Sequence, residues 1–296
     1  MTCAALVALA AASCGVDGDP APDASTGAVV VVATAYPLFE VASMVGGDRA
    51  SVTNLVAAGA EPHDLELTPD QAERLEDADL AITVGRGFQP AVEKAAGRRS
   101  GRTLQLLPAL ADHGDDERGG SSGDPHVWLD PGAMPRVVEQ VRDALIAVDR
   151  AGETAYQANA EALITELEAL DQRFTTGLAD CDRRLIVTSH AAFGHLADAY
   201  DLDQEAVSGL SPEAEPKPAR LDELATLVET KGITTVFTEE LVSPKVAETL
   251  ARETGIKTAV LSPLEGLTSD EAEAGDGYLT VMGRNLVALR DALGCR

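Results

Sequence analysis

Basic residues are scarce. Twenty-three Lys and Arg stand against 49 Asp and Glu, a formal net charge of -26, which would repel nucleic acid and anionic membrane surfaces over a Debye length and argues against both as partners. The longest continuous apolar run, at the N-terminus, is too short to span a bilayer. Phosphate-cradling glycine loops and fixed-period repeats are missing, which argues against a P-loop nucleotide enzyme and against a solenoid. No predicted helix carries two histidines with a glutamate between them, a common signature of zinc hydrolases. Cysteine occurs four times, histidine five times and tryptophan once. What remains is a chain with 45% hydrophobic and 24% charged residues, the composition of a folded globular protein. Its 296 residues are long for one core and suit two lobes of roughly 120 residues each.

The opening Met1-Thr-Cys-Ala-Ala-Leu-Val-Ala-Leu-Ala-Ala-Ala-Ser-Cys14 resembles a lipoprotein signal peptide, although a basic start is missing. In that class the signal is removed before the cysteine, whose thiol takes up a lipid that tethers the mature protein outside the cell membrane. Cys14 is therefore the expected lipidation site, and residues 15–27, rich in Asp, Pro and Ala, read as a flexible tether. In an exported chain the remaining pair, Cys181 and Cys295, is expected to form a disulfide that fastens the C-terminus to the start of the second lobe.

Along the chain, short apolar runs alternate with helical patterns. Residues 28–35, 52–56 and 80–84 read as buried strands, and Thr68-Pro69 opens a helix running to about residue 77, with Thr68 as cap. Residues 112–123, acidic and rich in Gly and Ser, read as a surface loop whose His113 is solvated. Helices are expected over 133–148 and 153–178. In the second, Tyr156, Ala160, Leu163, Leu167, Leu170 and Phe174 form an amphipathic stripe on a helix roughly 35 to 40 Å long. The strand–helix alternation then resumes: strands at 185–188, 233–238 and 257–261; helices at 191–200, 218–231, 243–254 and 278–293. The predicted fold is α/β: two open parallel-sheet lobes covered by helices and joined by a long rigid helix. Its boundaries are 1–27 for signal and tether, 28–132 for the N-terminal lobe, 133–180 for the linking helices and 181–296 for the C-terminal lobe.

Three histidines follow strand-like runs: His63 in Ala-Glu-Pro-His-Asp, His126 in Asp-Pro-His-Val-Trp-Leu-Asp, and His190 in Val-Thr-Ser-His-Ala-Ala-Phe. Loops at the carboxyl ends of parallel strands are where open α/β sheets bind ligands, so the three converge most simply on one cation between the lobes. The carboxylates flanking His126, Asp124 and Asp130, can orient one ring nitrogen and leave the other for the metal. Imidazole donors suit Zn²⁺, which takes four ligands. Glu265 is the expected fourth, with Glu239 and Glu240 in reserve.

These residues, together with Thr188–Tyr200, Ser208–Leu221 and Ser-Pro-Leu-Glu-Gly-Leu-Thr at 262–268, resemble the metal-binding receptor proteins of ABC importers, in the zinc-binding ZnuA/AdcA-like branch. The likeness covers residues 29–293 and implies a monomeric receptor that holds metal between two lobes and delivers it to a membrane permease. Position by position it assigns His63, His126, His190 and Glu265 as ligands. The spacer lacks the long histidine-rich insertion of many zinc members. In manganese-binding relatives the third position is a carboxylate, so His190 favours zinc over the alternative of a manganese receptor. A cell-surface zinc hydrolase would need an open coordination position, and an adhesin would use the metal structurally.

Overall fold

The computed structural model describes residues 27–63, 65–111, 123–212, 214 and 216–296. The expected lipidation site Cys14, residues 15–26 of the tether and His113 lie outside the described residues.

Two four-stranded sheets, all parallel, form the frame. In the first, β1 (Val29–Ala33), β2 (Ala50–Asn54), β3 (Leu80–Thr83) and β4 (Arg102–Gln105) lie in the order β2-β1-β3-β4. In the second, β5 (Leu185–Thr188), β6 (Asp203–Ala206), β7 (Thr235–Thr238) and β8 (Lys257–Val260) repeat that order as β6-β5-β7-β8. The central strands are apolar on both faces because helices cover both. Side chains alternate accordingly. Val31 and Ala33 face one large core and Val32 a satellite cluster with Leu55, Leu75 and Val92. Ile186 and Phe237 join the same large core, while Val187 and Val236 turn to a second satellite with Leu224 and Leu250. The two lobes thus share one continuous core and each keeps a smaller one on its outer face.

The shared core is built on the spine. Helix α1 (Tyr36–Gly46) follows β1; α2 (Pro69–Asp77), α3 (Pro90–Ala96) and α4 (Leu106–Ala111) complete the first lobe. As the sequence predicts, Thr68 caps α2, in a reciprocal capping box with Gln71. Helix α5 (Met134–Val148) then packs along α6 (Glu153–Gly177), the 25-residue connector. All six residues of the predicted stripe, from Tyr156 to Phe174, are buried. The helix reaches both lobes: near its start Asn159 donates to the Val45 carbonyl at 3.0 Å, and near its end Phe174 stacks on Tyr200 with centroids 5.2 Å apart. The second lobe adds α7 (Gly194–Ala199), α8 (Pro218–Lys231), α9 (Lys245–Thr254), α10 (Ser269–Ala274) and α11 (Tyr278–Leu293).

Three features differ from the sequence reading. The helix expected over 191–200 is confined to Gly194–Ala199, because residues 189–193 serve as the turn that carries His190. Strand β6, Asp-Gln-Glu-Ala, was not expected; it is an edge strand whose polar residues need no buried face. Helix α10, also unexpected, is fixed by a Thr68-like box in which Thr268 and Glu271 cap each other. At the C-terminus Cys181 and Cys295 are bonded, Sγ to Sγ 1.99 Å, beside backbone hydrogen bonds from Arg183 to Leu293 (3.1 Å) and from Arg296 to Asp180 (3.0 Å). Among the described residues no helix is long and apolar enough to cross a membrane.

Candidate metal centre

The carboxyl ends of both sheets open toward each other, and four loops meet there. His63 comes from the loop after β2, and His126 from the segment that enters a turn of 3-10 helix at Val127–Leu129. His190 follows β5 and Glu265 follows β8. The structure brings all four together: one donor atom from each lies within 4.8 Å of every other. The Nε2 atoms of His63, His126 and His190 are 2.9, 2.8 and 3.2 Å from the same atom, Oε1 of Glu265. Donors about 2.0 to 2.1 Å from a tetrahedral zinc ion stand roughly 3.3 Å from each other, so the cluster is already close to the size the ion requires.

Each histidine is fixed by a carboxylate. Asp124 Oδ1 accepts both the backbone N–H of His126 at 2.9 Å and its ring Nδ1–H at 2.7 Å. Glu239 Oε1 does the same for His190, at 3.2 and 2.8 Å. With Nδ1–H committed to a carboxylate, the ring can offer its Nε2 lone pair to a cation. Glu61 accepts the backbone N–H of His63 at 3.0 Å, and the ring of His63 packs on Phe88 with centroids 4.4 Å apart. Gln89 pins the same loop from beneath, donating to the carbonyls of Pro62 (3.0 Å) and Thr34 (2.7 Å).

The reserve candidates separate clearly. Glu239 is spent on the Nδ1 of His190 and so acts behind the donor cluster, and Glu240 is exposed and outside it. Asp130 does not orient His126; it accepts the backbone N–H groups of Gly132 and Ala133 instead. The sequence missed the part played by Glu239. Its place at the end of β7 was the available signal, since that is where such sheets present functional residues.

The centre is almost dry: side-chain exposure is 0% for His126 and His190, 2% for Glu265 and 10% for His63. Burial opposes charge on His190, but Glu239 and Glu265 outweigh it and push the imidazole up to about 10. His126 is raised in the same way, burial being outweighed by Asp124 and Glu265. Burial would raise the Glu265 carboxyl, yet the surrounding imidazoles hold it well below the ordinary carboxylate range. Protons and a cation therefore compete for the same nitrogens.

The family model described as "Zinc-uptake complex component A periplasmic" matches residues 31–292. The chain belongs to this family, ZnuA. It is 38% identical over 278 residues to the zinc-binding lipoprotein AdcA of Streptococcus pneumoniae, covering 89% of this chain and 56% of AdcA. It is 34% identical over 277 residues to the high-affinity zinc uptake system protein ZnuA of Bacillus subtilis, covering 89% and 87% respectively. The chain thus spans about half the length of the AdcA relatives and most of the Bacillus protein. The Zn(II)-bound ZnuA-like domain of S. pneumoniae AdcA superimposes with a TM-score of 0.77 at 38% identity, over 90% of this chain and 99% of that domain. The two-lobe arrangement with its connecting helix is that of the ZnuA family.

Proposed function

We propose that the protein is an extracytoplasmic receptor that binds Zn²⁺ as cargo through His63, His126, His190 and Glu265 and delivers it to the permease of an ABC-type importer. The observation that carries the reading is the convergence of three imidazole Nε2 atoms on one buried carboxylate oxygen. Its chemistry selects the ion. Three neutral nitrogens with one carboxylate suit zinc better than manganese, which favours oxygen donors. The three negative charges of Glu265, Asp124 and Glu239, all nearly sequestered from water, are balanced more nearly by a dication than by a monovalent ion. Four protein donors also close a tetrahedron, so there is no position for the activated water that a zinc hydrolase needs.

The names of the relatives support the same reading, and none denotes an enzyme. We further propose that Cys14 is lipidated and holds the protein, as a monomer, on the outer face of the cell membrane. In this reading residues 28–132 and 181–296 are the two lobes and residues 133–180 the rigid connection. Metal analysis of protein purified without chelator, followed by competition among Zn²⁺, Mn²⁺ and Cu²⁺, tests the cargo. One zinc per chain that manganese fails to displace is the expected result, and preferential manganese retention would overturn it. Mass spectrometry of the mature N-terminus should find a modified Cys14; an unprocessed Met1 would refute the anchor.

A further inference from the structure

Glu265 lies on a stretch with no regular structure, between β8 and α10, and its neighbour Leu264 is held at φ 53°. A left-handed non-glycine residue persists only where its surroundings leave it no alternative. Behind it, Ser262 is clasped by Asn285 of α11: Oδ1 accepts the Ser262 N–H at 2.9 Å and Nδ2 donates to the Ser262 carbonyl at 2.7 Å. Those contacts come from the same lobe. Across the lobe boundary, the indole Nε1–H of Trp128 donates to the carbonyl of Pro263 at 2.8 Å, immediately before the strained residue.

Trp128 is itself fixed from both sides. It follows His126 by two residues and is 1% exposed. Its ring meets the rings of His126 and Phe88 edge-on, with centroids 5.3 and 5.8 Å apart. From the second lobe, the Tyr278 hydroxyl donates to the Trp128 carbonyl at 2.7 Å. A donor two residues from one ligand therefore grips a carbonyl two residues from another.

We infer that Trp128 is the positioning residue for the fourth donor: through Pro263 it holds Leu264 left-handed and so keeps the Glu265 carboxylate against the three histidines. Without the indole N–H, the Pro263 carbonyl loses its partner, Leu264 relaxes toward ordinary φ, and Glu265 withdraws from the cluster while the histidines stay in place. Loss of one hydrogen bond to a buried carbonyl corresponds to roughly ten- to hundredfold faster metal release. The inference rests on the proposed zinc site, with Glu265 as a ligand.

Because Trp128 is the only tryptophan, growth of a tryptophan auxotroph on β-(3-benzothienyl)alanine replaces its N–H by sulfur at nearly constant shape. Cobalt(II) serves as the probe, since its visible d–d bands are strong when four-coordinate and weak when five- or six-coordinate. Wild type should give strong bands at one equivalent. The benzothienyl protein and Trp128→Phe should still take one equivalent but with weaker bands, and should release zinc to a chelator faster. Phe174→Leu, which loosens the spine without touching the loop, should keep the wild-type spectrum. Unchanged bands and release rate in the folded benzothienyl protein would overturn the role of Trp128. Absence of cobalt uptake by wild type, or a wild-type spectrum in Glu265→Ala, would instead overturn the site on which the inference rests.

Discussion

At the scale of single residues, the donor cluster depends on carboxylates that lie outside it. Asp124 and Glu239 each hold one histidine by both its backbone and its ring. Asp124→Asn and Glu239→Gln should therefore weaken zinc binding by roughly 10- to 100-fold while keeping one ion per chain, measured by competition with a chelator of known affinity. Binding at wild-type strength in both variants would show that ring orientation is set elsewhere. The sequence disclosed these two unequally. Asp124 stands two residues before His126, close enough for a local hydrogen bond to be read directly. Glu239 is 49 residues from His190, so its partnership exists only once β5 and β7 lie side by side, and the sequence placed it among possible ligands. Trp128 stood out as the lone tryptophan beside His126, but its grip on Pro263 spans 135 positions and carried no local sign.

At the scale of elements, α6 was legible because a stripe at helical spacing determines one buried face wherever the helix sits. Leu167, 1% exposed on that stripe, belongs to the core shared by both lobes, and Leu167→Ala should cost about 2 to 5 kcal/mol, read from urea unfolding. A loss below about 0.5 kcal/mol, typical of surface positions, would mean that α6 is not the spine. Strand β6 was illegible for the opposite reason: an edge strand of Asp, Gln, Glu and Ala has no apolar alternation to announce it. The junction of α5 and α6 adds an electrostatic test. Asp149 Oδ2 accepts from Arg49 Nη2 at 2.7 Å and from the Tyr156 hydroxyl at 2.8 Å. Burial would raise its carboxyl, but these two partners outweigh burial and hold it below the usual range. A group depressed in the folded state contributes stability above its unfolded value and loses it as pH falls through the folded one. Asp149→Asn should thus be less stable than wild type at pH 7, and the gap in urea midpoint should shrink below about pH 4. A gap constant across that range would rule out the charge as its cause.

At the scale of the whole molecule, two sheets of identical strand order face each other across a centre to which each lobe contributes two donors. The repeated order was not visible in the sequence, which shows no internal period; it emerges from the way each lobe winds its parallel strands. Because the donors come from both lobes, an ion bound there ties them together, and zinc at a hundredfold its dissociation constant should add about 2.7 kcal/mol of apparent stability. The shared core means that this adds to lobes already packed, so the metal-free protein should unfold as one unit. The most direct measurement is titration calorimetry of zinc into wild type and His190→Ala. The imidazole that the second lobe contributes to the donor cluster is then the only difference. Wild type should bind one zinc tightly, and His190→Ala should nearly lose that binding; equal, stoichiometric binding by both would contradict a zinc centre formed between the lobes.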